Sequence, residues 1–148
     1  MTLTDGIRRS LSVVLVVTAT LLAGCSGTGQ TRPSSADVNR LVRPDHPVDS
    51  PSGEYTASVE YGPTENNVKT WIPVIRDNNG SEVFRDSHDP YAPYSTRSVL
   101  YVAWLSTKPA ELWVYSGDVG QFAIAKQPDG TWAKRSETMP EEIANLHP

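Results

Sequence analysis

Short apolar runs cut by tight turns constrain everything from Tyr55 onward. Tyr55, Ala57, Val59 and Tyr61 alternate with Thr56, Ser58 and Glu60, the period-2 pattern of a strand with one buried face. Val68 to Arg76 carries Trp71, Ile72, Val74 and Ile75. Pro73 within it predicts an edge position or a bulge, because proline has no ladder donor. Asp77-Asn78-Asn79-Gly80 follows, and Asn-Gly between apolar runs is a strong hairpin signal, since both residues tolerate positive φ. Ser81 to Asp86 is the expected return strand. Ser87 to Thr96, with Pro90, Tyr91, Pro93 and Tyr94, is the expected long loop.

Ser98 to Ser106 reads SVLYVAWLS, apolar on both faces as a central, doubly covered strand requires. Thr107-Lys108-Pro109-Ala110 turns it into Glu111 to Ser116, and Gly117-Asp118-Val119-Gly120 turns again into Gln121 to Lys126. Pro128-Asp129-Gly130 leads to a last strand over Thr131 to Lys134. Thr138-Met139-Pro140-Glu141 has the spacing of a capping box opening a short C-terminal helix through Leu146. Seven short strands joined by turns predict an antiparallel all-β domain: a meander, a small sandwich or a partly closed barrel, with that helix appended.

One pattern occurs twice: Pro51-Ser52-Gly53-Glu54-Tyr55 and Pro128-Asp129-Gly130-Thr131-Trp132. Both resemble the turn-to-strand starts of β-propeller blades. Their separation does not fit a repeat of roughly 40–50 residues, and the span is too short for a ring of four blades. A type I turn with Pro second and Gly fourth explains both.

The start of the chain has a different grammar. Arg8-Arg9 precede an apolar run containing Leu11, Val13, Val14, Leu15, Val16, Val17, Leu21 and Leu22. A positive region, a short apolar stretch and small residues at a cut site form a secretory signal, and the run falls short of the roughly 20 apolar residues of a membrane span. Leu22-Ala23-Gly24-Cys25 resembles the lipobox of bacterial lipoproteins, and Cys25 is the chain's single cysteine. The resemblance implies cleavage between Gly24 and Cys25, diacylglycerol on the Cys25 thiol, and an extracytoplasmic, membrane-tethered product. Ser26 lacks the aspartate associated with inner-membrane retention, so in a two-membrane envelope the resemblance favours the outer membrane. Two acyl chains anchor a protein stably where one does so only marginally. The expected organisation is a signal over residues 1–24, a lipidated flexible tether over 25–50 rich in Gly, Ser and Pro, with Asn39 to Arg43 a candidate short strand or helical turn within it, and a β-rich domain over 51–148.

Removing the signal takes two positive charges and one negative charge from a chain of net −4, leaving −5. Nucleic acid is therefore not the expected partner, since it is bound through clustered Lys/Arg. With Cys25 lipidated, no thiol remains for a disulfide, a zinc site or a nucleophile. All twelve aromatics lie between Tyr55 and Trp132, which supplies core material for a domain of this size.

Patterns for a serine-hydrolase elbow, a P-loop, a dinucleotide site, HExxH or an EF-hand are absent. Ser116-Gly117-Asp118-Val119-Gly120 reads as a hairpin turn, not a phosphate loop, because no helix follows to supply its N-terminus. His88 sits in Arg85-Asp86-Ser87-His88-Asp89-Pro90; Asp86, His88 and Asp89 form the one acid–base or metal set in the domain span. Solvated turn residues explain that spacing more simply, so no catalytic residue, metal or cofactor is expected. Aromatics are the better binding candidates: Tyr91 and Tyr94 beside the loop prolines, then Trp104 and Trp113, for each of which core packing is nonetheless the default on a strand. The chain resembles small envelope lipoproteins, and the expected function is non-catalytic binding of a protein or cell-wall component. A cell-wall hydrolase using the His88 loop and an immunity-type inhibitor of an exported toxin are the alternatives.

Overall fold

A computed structural model describes residues 35–87 and 91–147, with side-chain surroundings from residue 37 onward. The elements in chain order are α1 (Ser35–Val38), β1 (Leu41–Val42), β2 (Val48–Asp49), β3 (Tyr55–Tyr61), β4 (Thr70–Asp77) and β5 (Glu82–Arg85). Then come β6 (Tyr94–Ser95), β7 (Leu100–Trp104), β8 (Glu111–Ser116), β9 (Gly120–Lys126), β10 (Trp132–Ser136) and α2 (Glu141–Ala144). The protein is all-β, with two five-stranded antiparallel sheets. The first runs β1-β7-β8-β9-β10; the second runs β2-β3-β4-β5, with β6 also paired to β4.

Alternation along β3 sends Tyr55, Ala57 and Val59 inward, where they join Ile75 and Tyr94 from their own sheet. Val102, Trp104, Leu112, Val114, Phe122 and Ile124 meet them from the first sheet. This is a sandwich core. The first sheet is covered on its other face too: Tyr101, Ala103, Leu105, Trp113 and Ala123 pack with Ile143 and Leu146 of the C-terminal segment. That double cover is why β7 is apolar at every position. Fully burying Ile143 and Leu146 is worth about 1.5–3 kcal/mol each relative to exposure, which holds a helix far too short to be stable alone.

The second sheet turns its outer face to water. Glu60, Arg76, Glu82 and Arg85 form a cross-strand quartet there, with Arg76–Glu60 at 2.7 Å and Arg85 at 2.8 Å from both Glu60 and Glu82. Hydrogen bonds from Arg76 and Arg85 hold the Glu60 carboxyl below its ordinary range, and Arg85 does the same for Glu82.

Four local expectations are corrected. The stretch expected as tether through Ser50 contributes β1 and β2: Leu41 and Val42 pair with Ala103 and Val102 and are buried. Two apolar residues outweigh a polar, proline-rich neighbourhood. The expected capping box does not form, because Pro140 occupies the N-cap without a side-chain hydrogen bond. Instead Glu142 ties α2 down, accepting hydrogen bonds from Arg40 and from the Ser106 N–H at 2.9 Å. Pro73 lies inside β4 opposite Val59, neither at a sheet edge nor at the bulge, which falls between Ile75 and Arg76. It is tolerated because β4's second neighbour changes there, from β6 at Thr70–Trp71 to β5 at Val74. The loop expected over Ser87 to Thr96 contains β6.

The Asp77–Gly80 turn forms, closed by Gly80 N–H to the Asp77 carbonyl at 2.9 Å. Gly80 alone in it has positive φ, +80°, so Asn79 does not use the left-handed region.

Candidate functional site

The two Pro-x-Gly-x-aromatic stretches, far apart in sequence, meet in space. Each closes as the expected turn: Gly53 N–H reaches the Ser50 carbonyl at 2.8 Å, and Gly130 N–H reaches the Gln127 carbonyl at 2.9 Å. Both glycines have positive φ, +69° and +87°, which a side chain with a Cβ resists. One turn delivers Tyr55 to the start of β3 in the second sheet; the other delivers Trp132 to the start of β10 in the first. Their rings meet edge to face with centroids 5.0 Å apart, a favoured aromatic geometry.

Two clefts open around this contact. One, of about 460 Å³, is lined by Tyr55, Trp132, Val83, Asp77, Thr131 and Lys126. The other, of about 510 Å³, is lined by Tyr55, Lys126, Lys108, Pro109, Glu111 and Arg135 among others. Tyr55 and Lys126 belong to both, so the clefts meet at this pair. The Lys126 ammonium donates to the Tyr55 hydroxyl oxygen at 2.6 Å and lies 5.2 Å from the ring centroid. That hydrogen bond holds the ammonium above its ordinary range, so Lys126 carries its charge at any physiological pH.

The charges in the clefts are unevenly committed. Asp77 Oδ1 already accepts from the N–H groups of Asn79 and Ser81, both at 2.9 Å. Glu111 Oε1 accepts from the Trp113 indole at 3.0 Å, and Arg135 pairs with Glu137 at 2.6 Å. Lys108 and Lys126 have no carboxylate within salt-bridge distance among the described residues, while Glu54, which lines the second cleft, adds to the field that raises Lys126. The arrangement offers two ammonium groups and an aromatic wall, a combination suited to binding.

Compared with known protein families, curated proteins and solved structures, the chain matches none. Its site is therefore read from its own geometry.

The residues singled out in the sequence fall differently. Gly24, Cys25, His88 and Asp89 lie outside the described residues. Trp104, Trp113 and Tyr94 are buried, at 4 %, 2 % and 1 % exposure, and so do not line a surface; they are core aromatics. The Trp104 indole donates to the Val48 carbonyl at 2.8 Å, which ties the two sheets together. Tyr91 is exposed at 48 % and stacks on Phe122 with centroids 5.3 Å apart.

Asp86 is not a solvated loop acid. It is buried, accepts from the Tyr94 hydroxyl at 2.7 Å, and sits 3.0 Å from the Lys134 ammonium. Lys134 lies in turn over the Phe122 ring, 4.4 Å from its centroid. The trio joins the end of β5 and β6 in one sheet to β10 in the other. No group of three or more His, Cys, Asp or Glu side chains suited to a metal occurs among the described residues.

Tyr55, Lys108, Lys126 and Trp132 were not recognised as site residues in the sequence. The repeated Pro-x-Gly-x-aromatic pattern was the available signal: two equivalent turns, one in each sheet, at the same end of a sandwich.

Proposed function

We propose that the chain is exported, cut before Cys25 and held to a membrane by lipid on that cysteine, and that its β-sandwich binds an envelope component without catalysing a reaction. The observation that carries the anchoring is Leu22-Ala23-Gly24-Cys25 closing a short apolar run behind Arg8-Arg9, with Cys25 the chain's single cysteine. No helix of the described residues is long and apolar enough to cross a membrane. The binding half rests on the joined clefts at Tyr55, Lys126 and Trp132. The commitment of Asp86 to Tyr94 and Lys134 in a buried setting supports a structural role for that acid over general acid–base work, which needs a group within reach of a substrate proton.

The test is a Cys25→Ala chain expressed beside the native one with a labelled fatty acid. The native chain is expected to take label and sediment with membranes. The variant is expected to take none and to leave the membrane fraction. Equal labelling and sedimentation of the two would refute lipid anchoring.

A further inference from the structure

The cations of the described domain divide into spent and unspent groups. Arg40, Arg76, Arg85, Lys134 and Arg135 each face a carboxylate. Arg43, Lys69, Arg97, Lys108 and Lys126 do not, and of these Lys108 and Lys126 line the larger cleft. Of the acids in the same region, Asp77 and Glu111 are held by hydrogen bonds from the protein itself, which leaves Glu54 at the larger cleft. An occupant with basic groups would find Glu54 alone open to it, whereas an acidic one meets two ammonium groups.

The tryptophans divide in the same way. Trp104 and Trp113 are buried with their indole N–H groups bonded to protein acceptors. Trp132 is half-buried at the cleft, and its N–H has no hydrogen-bond partner among the described residues. A partly exposed indole offers an apolar surface together with one donor. Lys126 stands where the two clefts join, so one ligand lying across it meets the indole on one side and Lys108 on the other.

We propose that the joined clefts hold an acidic glycan, with a sugar ring against Trp132 and carboxylate or phosphate groups at Lys126 and Lys108. A saccharide supplies both an apolar ring face for the indole and many acceptor oxygens for the unspent donors; its acidic groups match the two lysines. The assignment rests on the envelope-binding reading above and names the ligand class for that same site.

Calorimetry on the lipidated chain in detergent tests it, using trigalacturonate, maltotriose phosphate and uncharged maltotriose as ligands. One acidic oligomer is expected to bind at least about tenfold more tightly than maltotriose, as charge-assisted hydrogen bonds allow. That binding is expected to weaken as salt rises from about 50 to 500 mM. The better of the two acidic oligomers identifies carboxylate or phosphate as the recognised group. Lys126→Met and Lys108→Met alter exposed side chains, so folding is retained, and each is expected to weaken binding several-fold. Trp132→Ala is expected to abolish it. Equal binding of maltotriose, or acidic-oligomer binding unchanged in both lysine variants, overturns the proposal. If no oligosaccharide binds but solubilised envelopes yield a protein retained by the native chain and lost in Trp132→Ala, the glycan assignment falls and the binding reading stands. If neither is retained, both fall.

Discussion

The two sheets have the same strand number but opposite relations to water. The first is buried on both faces, against the second sheet through Val102, Trp104, Leu112, Val114 and Phe122, and against the C-terminal segment through Tyr101, Ala103 and Trp113. The second is buried on one face only and carries the Glu60–Arg76–Arg85–Glu82 quartet on the other. Stability should therefore be concentrated in the first sheet, since packing loss costs far more than loss of exposed ion pairs. The clefts form at the end where Tyr55 of the second sheet meets Trp132 and Lys126 of the first.

That contrast gives a graded set of expectations. Trp113→Ala should cost the most, about 3–5 kcal/mol, because its ring is buried in the doubly covered sheet; urea unfolding followed by circular dichroism measures it. Asp86→Ala should cost about 3–5 kcal/mol as well, by removing the carboxylate that faces the Lys134 ammonium inside the sandwich. An Asp86→Ala/Lys134→Met double variant should recover part of that loss in the same unfolding assay. A double variant no more stable than the single one would show that the ion pair is not the source of the cost. Ile143→Ala should cost about 2–5 kcal/mol, and limited proteolysis should then cut first near α2.

The charged face should respond weakly. Arg85→Ala is expected to cost no more than about 1 kcal/mol, since Glu60 and Glu82 are 39 % and 38 % exposed and solvent screens the quartet. Its pH dependence has a definite sign. Glu60 and Glu82 have folded pKa values below the ordinary 4.5, so they stabilise the fold above that pH. The contribution disappears as pH falls through their lowered folded values. The urea midpoint of the native chain should therefore fall between neutral and strongly acidic pH. In a Glu60→Gln/Glu82→Gln chain the same fall should be smaller. Equal falls in the two would show that the acid sensitivity arises elsewhere.

The sequence reveals more of the two sheets than of the site. β3 over Tyr55–Tyr61 and β8 over Glu111–Ser116 have the boundaries that alternation and flanking turns predict, and SVLYVAWLS announces a doubly buried strand. These signals are local. Leu41-Val42 is too short to show any period, so the sequence marks Asn39 to Arg43 only as a strand or a helical turn, and pairing with β7 decides for the strand. Trp104, Trp113 and Tyr94 look like contact residues in a linear reading; burial depends on what packs above them, which a strand pattern does not specify. The cleft is harder still, because Tyr55 and Trp132 are neighbours only after two sheets stack. The repeated turn marks both positions, while their meeting is a property of the fold.

The central claim is that the open end at Tyr55 and Trp132, not the charged outer face of the second sheet, is the binding surface. Photo-cross-linking in living cells tests it directly, with a photoreactive amino acid placed at Thr131 in one chain and at Ser58 in another. The account predicts a specific adduct from position 131 that weakens in Lys126→Met, and none from position 58. An adduct from position 58 with none from 131 would contradict it.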